Sequence, residues 1–232
     1  MPDIWTVPRL WPGATVACLG GGPSLTRAQV DVCRGRARVI AVNDAYRLAP
    51  WADVLYACDW RWWNKHHGVP GFAGIKVSIS NSAERLKKYP DIRIVENTGT
   101  QGLETAPTGL RTGRNGGYQA INLAVHFGVK RILLLGYDMK PAADGRTHWF
   151  GDHADWPTKP AIFRSVFLPH FEGLAAALES LRIQVINCTA DSALEAFPKM
   201  SLEQALQTTD ARDQMSDDRC QMPVEASASP GL

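Results

Sequence analysis

Two glycine-rich segments and one histidine-rich segment carry the residue types from which chemistry could be built. The first, Gly20-Gly21-Gly22-Pro23-Ser24-Leu25, lies between an apolar run, Thr15–Leu19 (TVACL), and a helical pattern that begins near Thr26. Glycine reaches backbone conformations closed to other residues and lets main-chain amides approach an anion, and a following helix presents the positive end of its dipole. Ser24 can donate to a phosphate, and Ser24 or Thr26 can cap the helix. The turn lacks the Lys-Ser/Thr of a P-loop and the third glycine of a dinucleotide fingerprint. A ligand-free strand-to-helix connection would use the same residues, so both uses stay open.

The second segment is Arg111-Thr112-Gly113-Arg114-Asn115-Gly116-Gly117-Tyr118, where a helix is expected to start. Unpaired amides beside two arginines suit a phosphate or carboxylate, and a solvated loop would look alike. The third is His148-Trp149-Phe150-Gly151-Asp152-His153. Histidine titrates near neutral pH and serves as general acid or base, which makes His148 and His153 the candidate catalytic residues. His148, Asp152 and His153 could also ligate a metal, but no HExxH-like spacing or cysteine partner accompanies them, and no metal site is assigned. His66 and His67, beside Trp60, Trp62 and Trp63, read as an aromatic ledge without assigned chemistry.

Short apolar runs position these segments. Besides TVACL they are Arg38–Val42 (RVIAV), 54–58 (VLYAC), Ile75–Ile79 (IKVSI), 92–95 (IRIV), Arg131–Leu135 (RILLL) and Gln184–Asn187 (QVIN). Several are apolar without alternation, as in parallel strands covered on both faces. Helical patterns intervene at 26–34, 82–88, 117–127 and 161–181. The expected fold is therefore α/β: an open, doubly wound, Rossmann-like and mostly parallel sheet in a single domain. Ligands of such sheets bind outside the carboxyl ends of the strands. That rule selects Gly20–Leu25, Asn43 to Tyr46, Asp59 to Lys65 and the stretch after Leu135. Asn43, Asp59 and Asp138 end strands, where each can bond a ribose or base edge or simply cap the next helix. The structureless segment 139–159 has a length that is usually functional or disordered, and its THWFGDHADW favours function.

Of 232 residues, 45% are hydrophobic and 21% charged, with net charge +2, so neither nucleic acid nor an anionic membrane is indicated. No apolar run approaches the roughly 18 residues of a membrane span, and the first residues lack a signal-peptide pattern, so a cytoplasmic location is expected. The five cysteines are scattered without a CxxC pair and read as small hydrophobes of a reducing compartment. Residues 1–207 are expected to form the nucleotide-binding transferase domain, and the Ser-, Asp-, Ala- and Pro-rich 208–232 a disordered tail.

The order GGGPSL, NDAY, RNGGYQAINLAVHFGVKRILLLGYDM and THWFGDH, from about Val16 to His153, resembles the bacterial sialyltransferases of glycosyltransferase family 42. These carry a GNGPSL turn, an NQFY-like segment, an SGVYMCAVAIALG…GIDF block and HYIGH. The resemblance implies a CMP-sialic acid donor, no required metal or other cofactor, and a histidine base acting on the hydroxyl of a small-molecule or glycan acceptor. By position it implies that Gly20, Gly22, Pro23 and Ser24, with Gly21 between them, form the nucleotide turn. It also implies that Asn43 contacts the nucleotide, that Asn115 and Gly116 meet the donor phosphate, and that His148 lies in the catalytic loop. The chain departs from the family at Gly21, in place of Asn, and at Asn115, in place of Ser. The family's two phosphate-holding tyrosines have no counterpart in residues 139–147. The chain also resembles the MptE-like (DUF115) proteins, which implies diphosphate transfer from ATP to a pterin with Mg²⁺ held by acidic residues. Asp59 and Asp138 would serve there, although a DxD-type pair is missing. Small proteins of this look occur in phage and prophage genomes. A module that has kept the nucleotide turn without the chemistry is the non-enzymatic alternative.

Overall fold

The computed structural model describes residues 3–151 and 158–207; Asp152, His153 and the 208–232 tail lie outside the described residues. Among the described residues, eight strands form one sheet in the order β6-β5-β4-β3-β2-β1-β7-β8. They are β1 (Thr15–Leu19), β2 (Arg38–Val42), β3 (Val54–Tyr56), β4 (Ile75–Ile79), β5 (Ile92–Asn97), β6 (Gly109–Leu110), β7 (Arg131–Leu135) and β8 (Gln184–Asn187). Every pairing is parallel.

Consecutive apolar residues in the central strands feed two cores at once, because successive side chains of a strand point to opposite faces. Val16, Cys18, Ile40, Val42, Ile132 and Leu134 pack on one face with α4 (Gly116–His126) and α5 (Leu168–Ser180). Ala17, Leu19, Val39, Ala41, Leu133 and Leu135 pack on the other with α1 (Arg27–Cys33) and α2 (Trp60–Lys65). Leu133 is fully buried, and truncating such a side chain to alanine costs roughly 2–5 kcal/mol. The fold is thus the open, doubly wound α/β domain that the strand patterns predict.

The chain runs from β1 outward to β6 and then crosses back to place β7 on β1's other side. The loops after β1 and β7 therefore leave in opposite directions, and a crevice opens between them. That reversal positions the candidate site.

Two elements differ from expectation. Residues 60–65 are helical rather than loop, because Asp59 caps them: its Oδ1 accepts from the Arg61 amide at 2.8 Å while Trp62 and Trp63 bury their rings. The single helix expected over 161–181 is divided into a π-turn, Phe163–Phe167, and α5. Pro169 has no amide to offer the Ser165 carbonyl, so a regular α-ladder cannot run through that point. Thr26, not Ser24, caps α1, with Gln29 completing a reciprocal capping box.

Candidate active site at the switch point

A cleft of about 270 Å³ lies across the carboxyl ends of β1, β2, β3 and β7. Gly20, Gly21, Gly22, Pro23, Asn43 and Asp59 line one part of it. Asn115, Gly116, Asp138 and His148 line the rest, so residues far apart in the sequence converge on one cavity. Ser24 stands just behind the lining, joined to Asp138. His153 lies outside the described residues.

The glycine turn is held by the β7 loop. The Gly20 amide donates to the Leu135 carbonyl at 2.8 Å and the Gly22 amide to that of Gly136 at 2.9 Å. Ser24 donates its amide to Asp138 Oδ1 at 3.2 Å and its hydroxyl to Oδ2 at 2.9 Å. A Cβ on Gly22 would collide with the Asp138 carboxylate, and one on Gly20 would stand 2.5 Å from the Gly136 oxygen. The glycines at 20 and 22 are thus required by a close backbone crossing. Within the turn, Gly21 carries the amide without a partner among the described residues. The donors expected to receive a phosphate here are mostly engaged by the protein's own carbonyls and carboxylate. Burial raises the Asp138 pKa above the usual carboxylate value, opposed by the two bonds from Ser24.

The start of α4 is differently disposed. The Asn115 side chain accepts from the Tyr118 amide at 3.1 Å, which leaves the Gly116 and Gly117 amides ahead of the first helical hydrogen bonds. Gly117 must lack a side chain, because a Cβ would come within 2.7 Å of the Tyr137 ring, whose hydroxyl donates to the Gly117 carbonyl at 3.0 Å. Of the two arginines expected beside this helix start, Arg114 lines the cleft, held at φ 55°. Arg111 is turned away: it donates to the Thr98 carbonyl and pairs with Glu104 at 3.5 Å. The expected pair of cationic partners is corrected to one, because Glu104 claims the other.

Asn43 enters the cleft in a left-handed conformation, φ 49°. Its neighbour Asp44 is buried and accepts from Trp62 Nε1 at 2.8 Å, with His66 Nε2 3.5 Å away. Tyr46 Oη meets His66 Nδ1 at 3.1 Å. The aromatic ledge expected around His66 is therefore a polar cluster that anchors the Asn43 turn.

His148 is bounded on several sides. Its Nδ1 lies 2.9 Å from the hydroxyl of buried Thr147, and its ring stacks on Phe150 at 5.1 Å between centroids. The Trp149 amide donates to the Gly21 carbonyl at 3.2 Å, and the Arg47 guanidinium lies 5.5 Å from the centre of the Trp149 ring. Met139, Lys140, Phe163 and Phe167 also line the cleft. Lys140 pairs with exposed Asp191 at 2.7 Å. The apolar spacing predicts Phe167 as a core residue; the π-turn places it, with Phe163, half-buried at the cleft wall. No sequence signal other than Pro169 marks that displacement.

Among the described residues no three His, Cys, Asp or Glu side chains come together as a metal-ligating group. No described helix is long and apolar enough to cross a membrane. No family model and no curated protein matches the chain. It is similar to the solved structure of the sialyltransferase CstII from Campylobacter jejuni in complex with a substrate analogue, cytidine-5'-monophosphate. That likeness has 13% identity and a TM-score of 0.47, over 82% of this chain and 86% of that one. The same enzyme in complex with CMP-3FNeuAc is similar at 14% identity and a TM-score of 0.43, over 81% of this chain and 85% of that one. At these values the likeness assigns no substrate to this chain.

Proposed function

We propose that the chain is a nucleotide-dependent transferase, a glycosyltransferase-like enzyme that takes a nucleotide-sugar donor and uses His148 as general base. The observation that carries this reading is the placement of an imidazole, His148, in the same cleft as the α4 N-terminus with its Gly116 and Gly117 amides and Arg114. A base and an anion-binding helix end sharing one cavity match what glycosyl transfer needs. His148 takes the proton of the acceptor hydroxyl, and the freed oxygen forms a bond to the anomeric carbon. The bond from that carbon to the phosphate oxygen breaks, and the departing nucleotide's new charge meets the helix amides and Arg114. Asn43 is placed to bond the nucleoside, and Gly20–Ser24 forms the floor. The acceptor is a small molecule or glycan, and the donor is its own cosubstrate, so no further cofactor is invoked.

The pyrophosphokinase alternative requires carboxylates able to hold Mg²⁺. Asp59 is engaged as the α2 cap and Asp138 by Ser24, which favours the glycosyltransferase reading. Isothermal titration with CMP, CTP, UDP and ATP, each with and without Mg²⁺, separates them, since the kinase alone needs ATP with metal. His148→Ala should lower turnover roughly 10²–10⁴-fold while nucleotide affinity stays within a few-fold. Unchanged turnover would remove His148 from the mechanism. Nucleotide binding without turnover of any donor would mark a binding module.

A further inference from the structure

The cavities away from the switch point, at the 3–6/83–94 groove and beside Leu10 and Trp51, contain no converging polar set. The environment of the His148 ring carries an inference further. Its Nδ1 is 2.9 Å from Thr147 Oγ1, and Thr147 is 4% exposed, so that contact is shielded from water. The opposite near edge of the ring meets Gly21: a Cβ built there would stand 3.3 Å from His148 Cδ2, closer than ordinary van der Waals contact. Gly21 is not in the left-handed region, so backbone conformation does not require glycine there. The absent side chain makes room for the imidazole. The Gly21 carbonyl in turn accepts the Trp149 amide, which ties the histidine segment to the turn on both sides of that contact.

We infer that Thr147 and Gly21 are positioning residues for His148. Thr147 accepts the Nδ1 proton and so selects the tautomer whose Nε2 carries the lone pair, while Gly21 sets the depth of the ring. This rests on the reading of His148 as base. In an imidazole, Nδ1 and Cδ2 flank the attachment carbon; with both edges bounded, Nε2 at the far side is the nitrogen that receives a proton. A hydrogen bond to one ring nitrogen determines which nitrogen acts, as it does for histidines held by carboxylates or carbonyls. The middle residue of the turn thus serves the base as much as the nucleotide.

The experiment is long-range ¹H–¹⁵N spectroscopy of histidine-labelled protein, with the His148 signals assigned by their loss in His148→Ala. The wild type should show a protonated Nδ1 and an unprotonated Nε2 at neutral pH. Thr147→Val, nearly isosteric, should shift His148 towards a tautomer mixture and lower turnover roughly 3- to 10-fold, with Thr147→Ser restoring both. Gly21→Ala should lower kcat more than it changes the acceptor KM. A protonated Nε2 in the wild type, or a Thr147→Val protein with unchanged tautomer and turnover, overturns the inference. If His148→Ala is as active as the wild type, the base reading itself has failed, and the nitrogen shifts still decide whether Thr147 sets the tautomer.

Discussion

The carboxylate of Asp138, just past β7, holds both the amide and the hydroxyl of Ser24, just past β1, at 3.2 and 2.9 Å. The two lips of the crevice are therefore joined by a side chain of the protein. An anion already sits against the glycine turn, and the α4 end is where a second anion meets unengaged donors. This division orients a nucleotide-sugar: phosphate toward Gly116 and Gly117, uncharged parts toward Gly20–Ser24.

Asp138→Ala should destabilise the fold by roughly 1–3 kcal/mol, because the Ser24 amide loses its acceptor. Asp138→Asn keeps an acceptor and should cost less. Burial raises the folded-state pKa of Asp138, so the folded form holds its proton more tightly than the unfolded chain does. Its contribution is then greatest at low pH and falls as pH rises from the unfolded value through the raised folded one. Urea unfolding from pH 3 to 7 should show that decline in the wild type and its loss in Asp138→Asn; parallel curves would refute it.

His126 runs the other way. It is buried, bonded through Nε2 to the Gly109 carbonyl at 2.8 Å, and burial lowers its pKa below 6.5. The stability that it contributes is full above the unfolded value and declines as pH falls through that value towards the lowered folded one. His126→Gln should flatten this part of the stability–pH curve while lowering stability at neutral pH. An unaltered slope below pH 6.5 would count against the assignment.

Asn115 and Gly117 can be separated by what they disturb. Asn115→Ala removes the α4 cap and should cost roughly 0.5–2 kcal/mol, read by denaturant midpoint. Gly117→Ala drives a methyl group into the Tyr137 ring and should cost roughly 1–3 kcal/mol. If the α4 amides hold the donor phosphate, Gly117→Ala should also weaken CMP binding, while a surface variant such as Lys88→Ala should not.

The sheet was readable where burial on both faces leaves an uninterrupted apolar run, as in RILLL and TVACL. The helix WRWWNK was not, because tryptophan has modest helix propensity and the element exists through the Asp59 cap and two buried indoles. The strand at Gly109–Leu110 is too short to show a period. Loops at strand ends were readable by rule, which brought Asn43, Asn115 and His148 to one place. The Ser24–Asp138 tie was not, since its partners are 114 residues apart and either residue alone reads as a cap or ligand group. Phe163 and Phe167 were hidden for a similar reason: a π-turn rotates them off the face that a regular helix would present.

The pairing of β1 with β7, Thr15 beside Arg131, has a consequence for how the chain acquires its shape. Each of β1 to β6 can join a neighbour that precedes it, but β7 must return across all of them, and such distant parallel contacts form slowly. Until β7 arrives, β1 is an apolar edge that can recruit other chains, and the crevice has one wall. The ligand site is therefore the last part of the molecule to come into being. A chain interrupted before Arg131 would be both ligand-free and prone to aggregate.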